Sequence, residues 1–539
     1  MASAAPAADY QPSNKEIRLV IAASSVGTVF EWYDFFIYVT VAAFIGAAFF
    51  PNDNETLRLL ATLAGFAVGF GFRPLGAILF GYLGDRLGRK YTFLITITLM
   101  GLATAAIGFL PSAASIGIAA PVILILMRIL QGLALGGEYG GAAIYVAEHA
   151  PDGKRGFYTS FIQASVVGGF VLSLIVVLST QAVLGPDAWG AWGWRFPFVF
   201  SLLLLAVSLW MRLKLNESPV FKRMKAKGEL AKNPLKESFT YPGNKRRIFV
   251  ALFGIAAGLT VIWYTAMFQG LFFLQNAMKL EPWTAQVIVG FGAGMGMIWF
   301  VVFGRLSDRV GRKKPIVIGY ILTLLLLFPA FWLMGSAANP GLSQAAERAP
   351  IVVTSGPGID CRFNPLADLQ ASECGRVLDV LSSLSLPYSK VESATADGLA
   401  VTIGGAVADP LDEAAFDAAL AAAGYDLGHV VPSARNIAII FIALFFLSLL
   451  SGMTYGPVAA LLAELFPPRI RYSSMSIPYH IGTGYFGGFL PVVSQYIIAS
   501  TGDAYAGLWY TWGVVLMALV VTVLMLPETV ERRVVLEDS

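Results

Sequence analysis

Apolar residues in this chain run together in long blocks instead of alternating with polar ones. Twelve such blocks lie at 17–49, 57–80, 91–110, 119–147, 157–180, 196–211, 248–275, 284–303, 315–335, 436–463, 474–499 and 505–526. A helix needs ~20 apolar residues to cross the hydrocarbon layer. The blocks therefore predict twelve transmembrane helices, the longer ones tilted or protruding. Residues 1–16 are polar and rich in Ala and Ser. The block that follows is too long for a signal-peptide core and carries charge inside it, so no cleavable leader is expected.

Composition agrees with this pattern. The 539 residues are 57% hydrophobic and 13% charged, with a mean hydropathy of +0.69. A soluble domain carries about a quarter charged residues, so an ordinary soluble enzyme is excluded. The net charge of +3 is too small to point to nucleic acid. Two cysteines and three histidines argue against a metal centre or redox relay. No phosphate loop or nucleophile elbow is present, so an enzyme is not expected. Twelve spans put both termini on one face. That face receives 27 of the 37 Lys and Arg, 11 of them in the loop 212–247. Basic loops stay in the cytoplasm, so both termini are predicted cytoplasmic in a multi-pass protein of the inner cell membrane.

The chain repeats itself. GYLGDRLGRK at 81–90 follows the second block and GRLSDRVGRK at 304–313 follows the eighth. Two six-helix halves are expected, 1–211 and 248–335 with 436–539, joined by the basic linker 212–247. Both motifs face the same side, so the halves are parallel repeats about an axis along the membrane normal. Residues 336–435 interrupt the second half. A short strand at Pro350–Thr354, a helix at Cys374–Leu384, a strand at Leu399–Val407 and a helix at Asp412–Ala423 predict a small α/β insert on the non-cytoplasmic face. The insert holds both cysteines, Cys361 and Cys374. On an oxidising face they form a disulfide; the alternative is two free thiols in a loop.

Ionisable residues inside a bilayer are costly and mark function. Glu31 and Asp34 lie in the first block, Arg73 in the second, Arg128 and Glu138 in the fourth. Spacing and depth predict two groupings: Glu31 and Asp34 with Arg128, and Arg73 with Glu138. Static ion pairs that fix packing are one reading. The other is that Glu31, Asp34 or Glu138 takes up a proton while Arg73 and Arg128 bind a substrate carboxylate. Gln131, one turn from Arg128, joins this set, and Tyr264, Gln269 and Tyr455 are the candidate contacts from the second half. His480 fits packing better than proton transfer. In the repeated loop, Asp85, Arg86, Arg89, Asp308, Arg309 and Arg312 are placed to pair across helix ends as a cytoplasmic gate, besides anchoring the loop.

The two copies of G-x-L-x-D-R-x-G-R-K resemble the loop signature of the major facilitator superfamily. EWYDFFIY at 31–38, RPLGAILFGYLGDRLGRK at 73–90 and RILQGLALGGEYGGA at 128–142 resemble its metabolite:proton symporters. WRFPF at 194–198, LNESPVF at 215–221, ELFPPRIRYSS at 464–474 and YHIGTGYFGGFLP at 479–491 are similar to the same family. The resemblance spans nearly all of 17–335 and 436–530. It implies two six-helix bundles, alternating access, and uptake of small organic acids or zwitterions such as di- and tricarboxylates, 2-oxoglutarate, shikimate, proline or betaine. It implies protons as the coupling ion, no cofactor and no metal, and a monomer. The insert departs from the family, whose outer loop there is short. A drug/proton exporter of the superfamily is the alternative, but the fifth block, SFIQASVVGGFVLSLIVV, lacks the proline-containing glycine motif such exporters carry. A transporter-like receptor that senses through the insert is the third reading.

Overall fold

The computed structural model describes residues 14–87, 89–137, 139–151, 153–213, 233–467 and 470–530, with the side chains of 14–19, 84–87, 89–91, 93 and 139 left out. The first half contains α1 (Val20–Thr40), α2 (Glu55–Leu83), α3 (Leu94–Phe109), α4 (Ala119–His149), α5 (Arg155–Ala191) and α6 (Gly193–Leu213). The second half begins with α7 (Asn244–Ala277), α8 (Pro282–Val310) and α9 (Lys313–Ala338). The insert follows, with α10 (Pro340–Arg348), β1 (Ile351–Ser355), α11 (Glu373–Ser383), β2 (Tyr388–Glu392), β3 (Leu399–Ile403), β4 (Ala406–Ala408) and α12 (Glu413–Ala422). The chain returns to the bundle as α13 (Ala434–Leu465), α14 (471–501) and α15 (Leu508–Met525).

Ten of these helices are long and apolar enough to cross a membrane. The third predicted block holds a shorter apolar helix, and α14, in the eleventh, is not among the ten. The block 17–49 is not one helix: the helical run ends at Thr40 and restarts over Ala42–Phe49. The fifth block extends past its expected end to Ala191, with a break at Gly185, whose φ is 76°, before Pro186.

Two seams join the halves. In one, α5 lies along α8; in the other, α2 lies along α14. Within the first half α2 and α4 meet backbone to backbone. A Cβ on Gly132 would land on the Gly69 carbonyl oxygen, and one on Gly136 on that of Arg73. Only glycine fits such a contact, which is how small residues let helices pack closely in lipid. Wider π turns interrupt α7 at Val250–Ala256, Thr265–Gln269 and Phe273–Ala277, and α14 at Gly482–Gly488. Such turns concentrate at functional sites, and two of these flank the centre of the molecule.

The insert has its own hydrophobic core. Its sheet has the order β2-β1-β3-β4, with β1 parallel to β2 and antiparallel to β3. The predicted single strand 399–407 is a hairpin, because Gly404 and Gly405 both adopt positive φ, of 58° and 89°. Two such residues make the tight turn whose twist matches paired strands. Strand β2 had no signal in the sequence, since most of its residues are exposed and polar. Val377, Leu378 and Leu381 of α11 and Phe416 and Leu420 of α12 are buried in this core. Ser372 and Asp412 cap the two helices through bonds of 3.0 and 3.1 Å to Gly375 N and Ala415 N. Cys361 and Cys374 are joined in a disulfide across 13 residues, tying a loop to the start of α11.

The insert is continuous with α9 and α13 and rests on the second half, where Tyr388 N donates to Gly502 O at 3.1 Å. It reaches the first half through polar side chains. Asn52 Nδ2 donates to Asp368 at 2.8 Å, and Asn54 Nδ2 to both oxygens of Asp379 at 2.8 and 3.0 Å. Burial pushes the half-buried Asp379 carboxyl above its usual range; the Asn54 bond opposes this and nearby Asp368 adds to it.

Gly132→Val is expected to force α2 from α4. Overpacking of this kind costs about 1–3 kcal/mol, read as a lowered thermal unfolding midpoint in detergent. Gly190→Ala, with nothing within 4 Å of its new methyl, should leave the midpoint unchanged.

Candidate functional site

The centre of the molecule is built on two arginines in the first half. Arg73 and Arg128 are both fully buried. The Arg128 guanidinium stands 4.2 Å from the ring centre of Phe35 and 4.5 Å from that of Tyr38. Arg73 lies 4.9 Å from Phe70 and 5.1 Å from Trp32. Ring faces attract cations through their quadrupole, and this is worth about 2 kcal/mol or more where water is excluded. Arg128 Nη1 donates to Gln131 Oε1 at 2.6 Å, and Gln131 Nε2 donates to Thr104 Oγ1 at 2.7 Å. Gln131 thus fixes the guanidinium plane. The Nε and Nη2 donors of Arg128 have no hydrogen-bond partner among the described residues. These two donors form one edge of the fork, the geometry that matches a carboxylate with two parallel bonds.

The second half supplies the facing wall. Trp263 stacks on Phe36 at 5.3 Å, Phe268 meets Phe66 at 5.8 Å, and Tyr264 meets Phe70 at 5.5 Å. Tyr264 lies within electrostatic reach of Arg73, Tyr455 and Arg128. Its hydroxyl has no hydrogen-bond partner among the described residues. Tyr455 hydrogen-bonds Tyr479 at 2.7 Å and lies within reach of Arg73, as does His480. Gln269 accepts from Gln495 at 3.2 Å. The structure therefore gathers Arg73, Arg128, Gln131, Tyr264 and Tyr455 around one aromatic-walled centre, with Gln269 further along α7.

The carboxylates are arranged otherwise than the spacing predicts. Glu31 does not pair with Arg128; it accepts from Arg212 Nη2, at the end of α6, at 2.7 Å. Asp34 is buried and makes no ion pair with Arg128 either, and its Oδ1 has no partner among the described residues. The grouping fails for Glu31 because α6 brings a cation that the sequence shows only as part of a basic loop. Glu138, and so its pairing with Arg73, lies outside the described residues, as do the side chains of Asp85, Arg86 and Arg89.

The second copy of the repeated loop is a lock between the halves. Asp308, on α8, accepts from Gly156 N and Phe157 N at the start of α5, both at 2.8 Å. Arg312 pairs with Asp308 at 2.8 Å and with Glu464 at 2.9 Å. Thr529 Oγ1 donates to Glu464 at 2.8 Å, and Glu528 accepts from Arg312 N at 2.8 Å. Arg471 reaches Glu148 across the halves at 3.5 Å, and Tyr472 Oη donates to Gly137 O at 2.6 Å. Arg309 is exposed and stands outside this network, because its position on α8 turns it away from α5. Sequence reasoning missed Arg212, Thr104, Glu148, Glu464 and Arg471. The motif ELFPPRIRYSS held two of them, but nothing in it names their partners.

The fold is a helical membrane protein in two halves, with buried arginines in the first half facing the second and ion pairs gathered at one end. The fold matches that of the proton:xylose symporter XylE from Escherichia coli, a major facilitator superfamily protein, with a TM-score of 0.61 at 15% identity over 96% of this chain and 97% of that one. Residues 19–258 and 414–536 match the family described as Sugar (and other) transporter, and the chain belongs to it. It is 31% identical over 530 residues to the inner membrane metabolite transport protein YhjE of Escherichia coli strain K12, covering 95% of this chain and 96% of that protein. It is 37% identical over 329 residues to the proline/betaine transporter of Salmonella typhimurium, of whose length the match spans 65%, and 60% of this chain. A shikimate transporter of Escherichia coli strain K12 is 37% identical over 57% of this chain and 70% of its own. The protein is a multi-pass solute transporter of the major facilitator superfamily and not an enzyme.

Arg312→Gln leaves Glu464 and Asp308 without their cation. Breaking a buried pair from one side costs about 3–5 kcal/mol, so a sharp drop in thermal midpoint is expected. Adding Glu464→Gln should recover part of it, as read by a double-mutant cycle of unfolding midpoints.

Proposed function

We propose that the protein imports a small carboxylate-bearing metabolite, an organic acid or a zwitterion, together with protons. The observation that carries this reading is the unpaired Nε/Nη2 edge of Arg128, fully buried in an aromatic-walled centre shared by both halves. A carboxylate on this edge replaces water that the site excludes. Tyr264 and Arg73 complete the contacts from the other half and the neighbouring helix. Rings around a zwitterion's positive end add the same attraction they give the arginines. The names of the proline/betaine and shikimate transporters support a small carboxylate-bearing solute, and that of YhjE a metabolite.

Asp34 is our candidate for the proton. Its buried Oδ1 has no hydrogen-bond partner among the described residues, and no cation pairs with it there, which supports a carboxyl able to take a proton. Glu31 has Arg212 as its counter-ion and is the weaker candidate. In the cycle, Asp34 takes a proton from outside and the substrate neutralises Arg128. The two halves then rock about the α5–α8 and α2–α14 seams, and both ligands leave inside. Each net charge moved across 100 mV contributes about 2.3 kcal/mol, a roughly 50-fold gradient. We place the protein in the inner cell membrane as a monomer with both termini cytoplasmic, in line with its basic linker.

Uptake into proteoliposomes of labelled proline, glycine betaine, shikimate and dicarboxylates, with and without an imposed pH gradient, tests the reading. Accumulation should collapse with a protonophore; accumulation that resists it and requires sodium would overturn the coupling. Asp34→Asn should abolish concentrative uptake and spare counterflow exchange. Arg128→Lys, which keeps the charge but loses the fork, should lower uptake by about tenfold or more.

A further inference from the structure

A cavity lies on the face that carries the insert, between the two halves and lined by the insert as well. Its volume is about 330 Å³. The first half lines it with Glu55 and Arg58, the second half with Lys279 and Gln495, and the insert with Ser385 and His429. The cavity therefore exists only where all three parts meet.

Its chemistry is that of a binding site. Arg58 pairs with Glu55 at 3.3 Å and donates to Asn52 O at 3.3 Å. Lys279 sits just past the end of α7, partly buried, and the charge it feels is that of Glu55. Burial pushes its ammonium below the usual lysine range, and Glu55 opposes that shift. Two cations against one acid leave the cavity net positive, with one negative group set between them.

The backbone adds a second, independent observation. Among the described residues, the non-glycine residues with left-handed backbone are Lys279 and Ser385, each with φ of 55°, and both line this cavity. Each stands one residue beyond a helix C-cap, Met278 for α7 and Leu384 for α11, at the position where glycine costs least. Strain of this kind gathers at ligand sites, where the side chain is needed in place.

We propose that this cavity is an outer binding site for a small carboxylate-bearing solute, built by both halves and completed by the insert. Lys279 and Arg58 take the carboxylate; Glu55 takes the positive end of a zwitterion. The site captures solute ahead of the central arginines, so it gives the insert a role in uptake. The proposal rests on the import reading for its direction, but the occupancy of the cavity does not.

The test uses the full chain in detergent and in proteoliposomes. The two cysteines of the chain are joined to each other, so a cysteine placed by Ala43→Cys, on the cavity wall, is the sole thiol. Its rate of labelling by a sulfonated maleimide is measured with proline, glycine betaine or shikimate, and with xylose as a probe without a carboxylate. At least one carboxylate probe should slow labelling and xylose should not. Lys279→Gln should weaken that protection about tenfold and Lys279→Arg should retain it, with KM raised and kcat unchanged for a transported probe in the Gln variant. Arg58→Gln provides the same comparison should Lys279→Gln fail to fold. Protection by none of the three probes, or protection that is equal in both Gln variants and the parent, would overturn the site. Uptake is measured on the same preparations: protection without uptake upholds this site and sinks the import reading, and uptake without protection does the reverse.

Discussion

A guanidinium in a hydrocarbon layer has lost its water and must be repaid by something else. Arg73 and Arg128 sit in that position, and the first half is arranged around them. Their flat faces meet Phe35, Tyr38, Phe70 and Trp32, and Gln131 ties one end of Arg128 to Thr104. Two of the rings that face the arginines also make the contact with the second half, Phe70 on Tyr264 and Phe66 on Phe268. Solvation of the cations and adhesion of the halves thus share contacts. Aromatic contacts of this kind are weakly directional and worth about 0.5–1.5 kcal/mol each, so the centre coheres without locking the halves at one angle.

The locks lie at the two ends and differ in kind. At one end Arg312, Asp308 and Glu464 are almost fully buried, and separating them exposes or orphans charges. At the other end the insert holds the first half by neutral amides on Asp368 and Asp379, which are partly open to solvent. Hydrogen bonds to charged groups contribute about 1.5–3 kcal/mol, less where water competes. The insert end is the cheaper one to open from this state. A cavity sits behind it and a buried ionic network behind the other, so the two ends differ in both packing and charge.

Much of this was legible in the chain. Hydrophobic blocks found the helices because a bilayer leaves a pattern no packing detail can hide. The repeated loop was equally plain, and the disulfide was the favoured of two readings of the cysteines, the one the structure has. The pairing of Glu31 was not, because its partner, Arg212, is 181 residues away and looks like one more charge in a basic loop. Lys279 belongs to no motif of the sequence; its left-handed backbone and its cavity belong to the folded chain alone. Strand β2 was invisible because it is an edge of the sheet, exposed and polar, and edges carry no alternation.

The lock also explains why the loop motif needs an aspartate. Gly156 N and Phe157 N lie at the start of α5, where helical N–H groups have no partner within the helix. Asp308 reaches them from α8 and takes both. A carboxylate suits that place because a helix N-terminus carries partial positive charge. The contact therefore joins a charge of one half to a dipole of the other, while Arg312 balances the same carboxylate from its own half. Were α5 to move away, Asp308 would keep its arginine and the two α5 donors would be left to water. The aspartate thus joins the two halves through a carboxylate whose charge is already balanced within its own half, a buried contact in a low-dielectric seam.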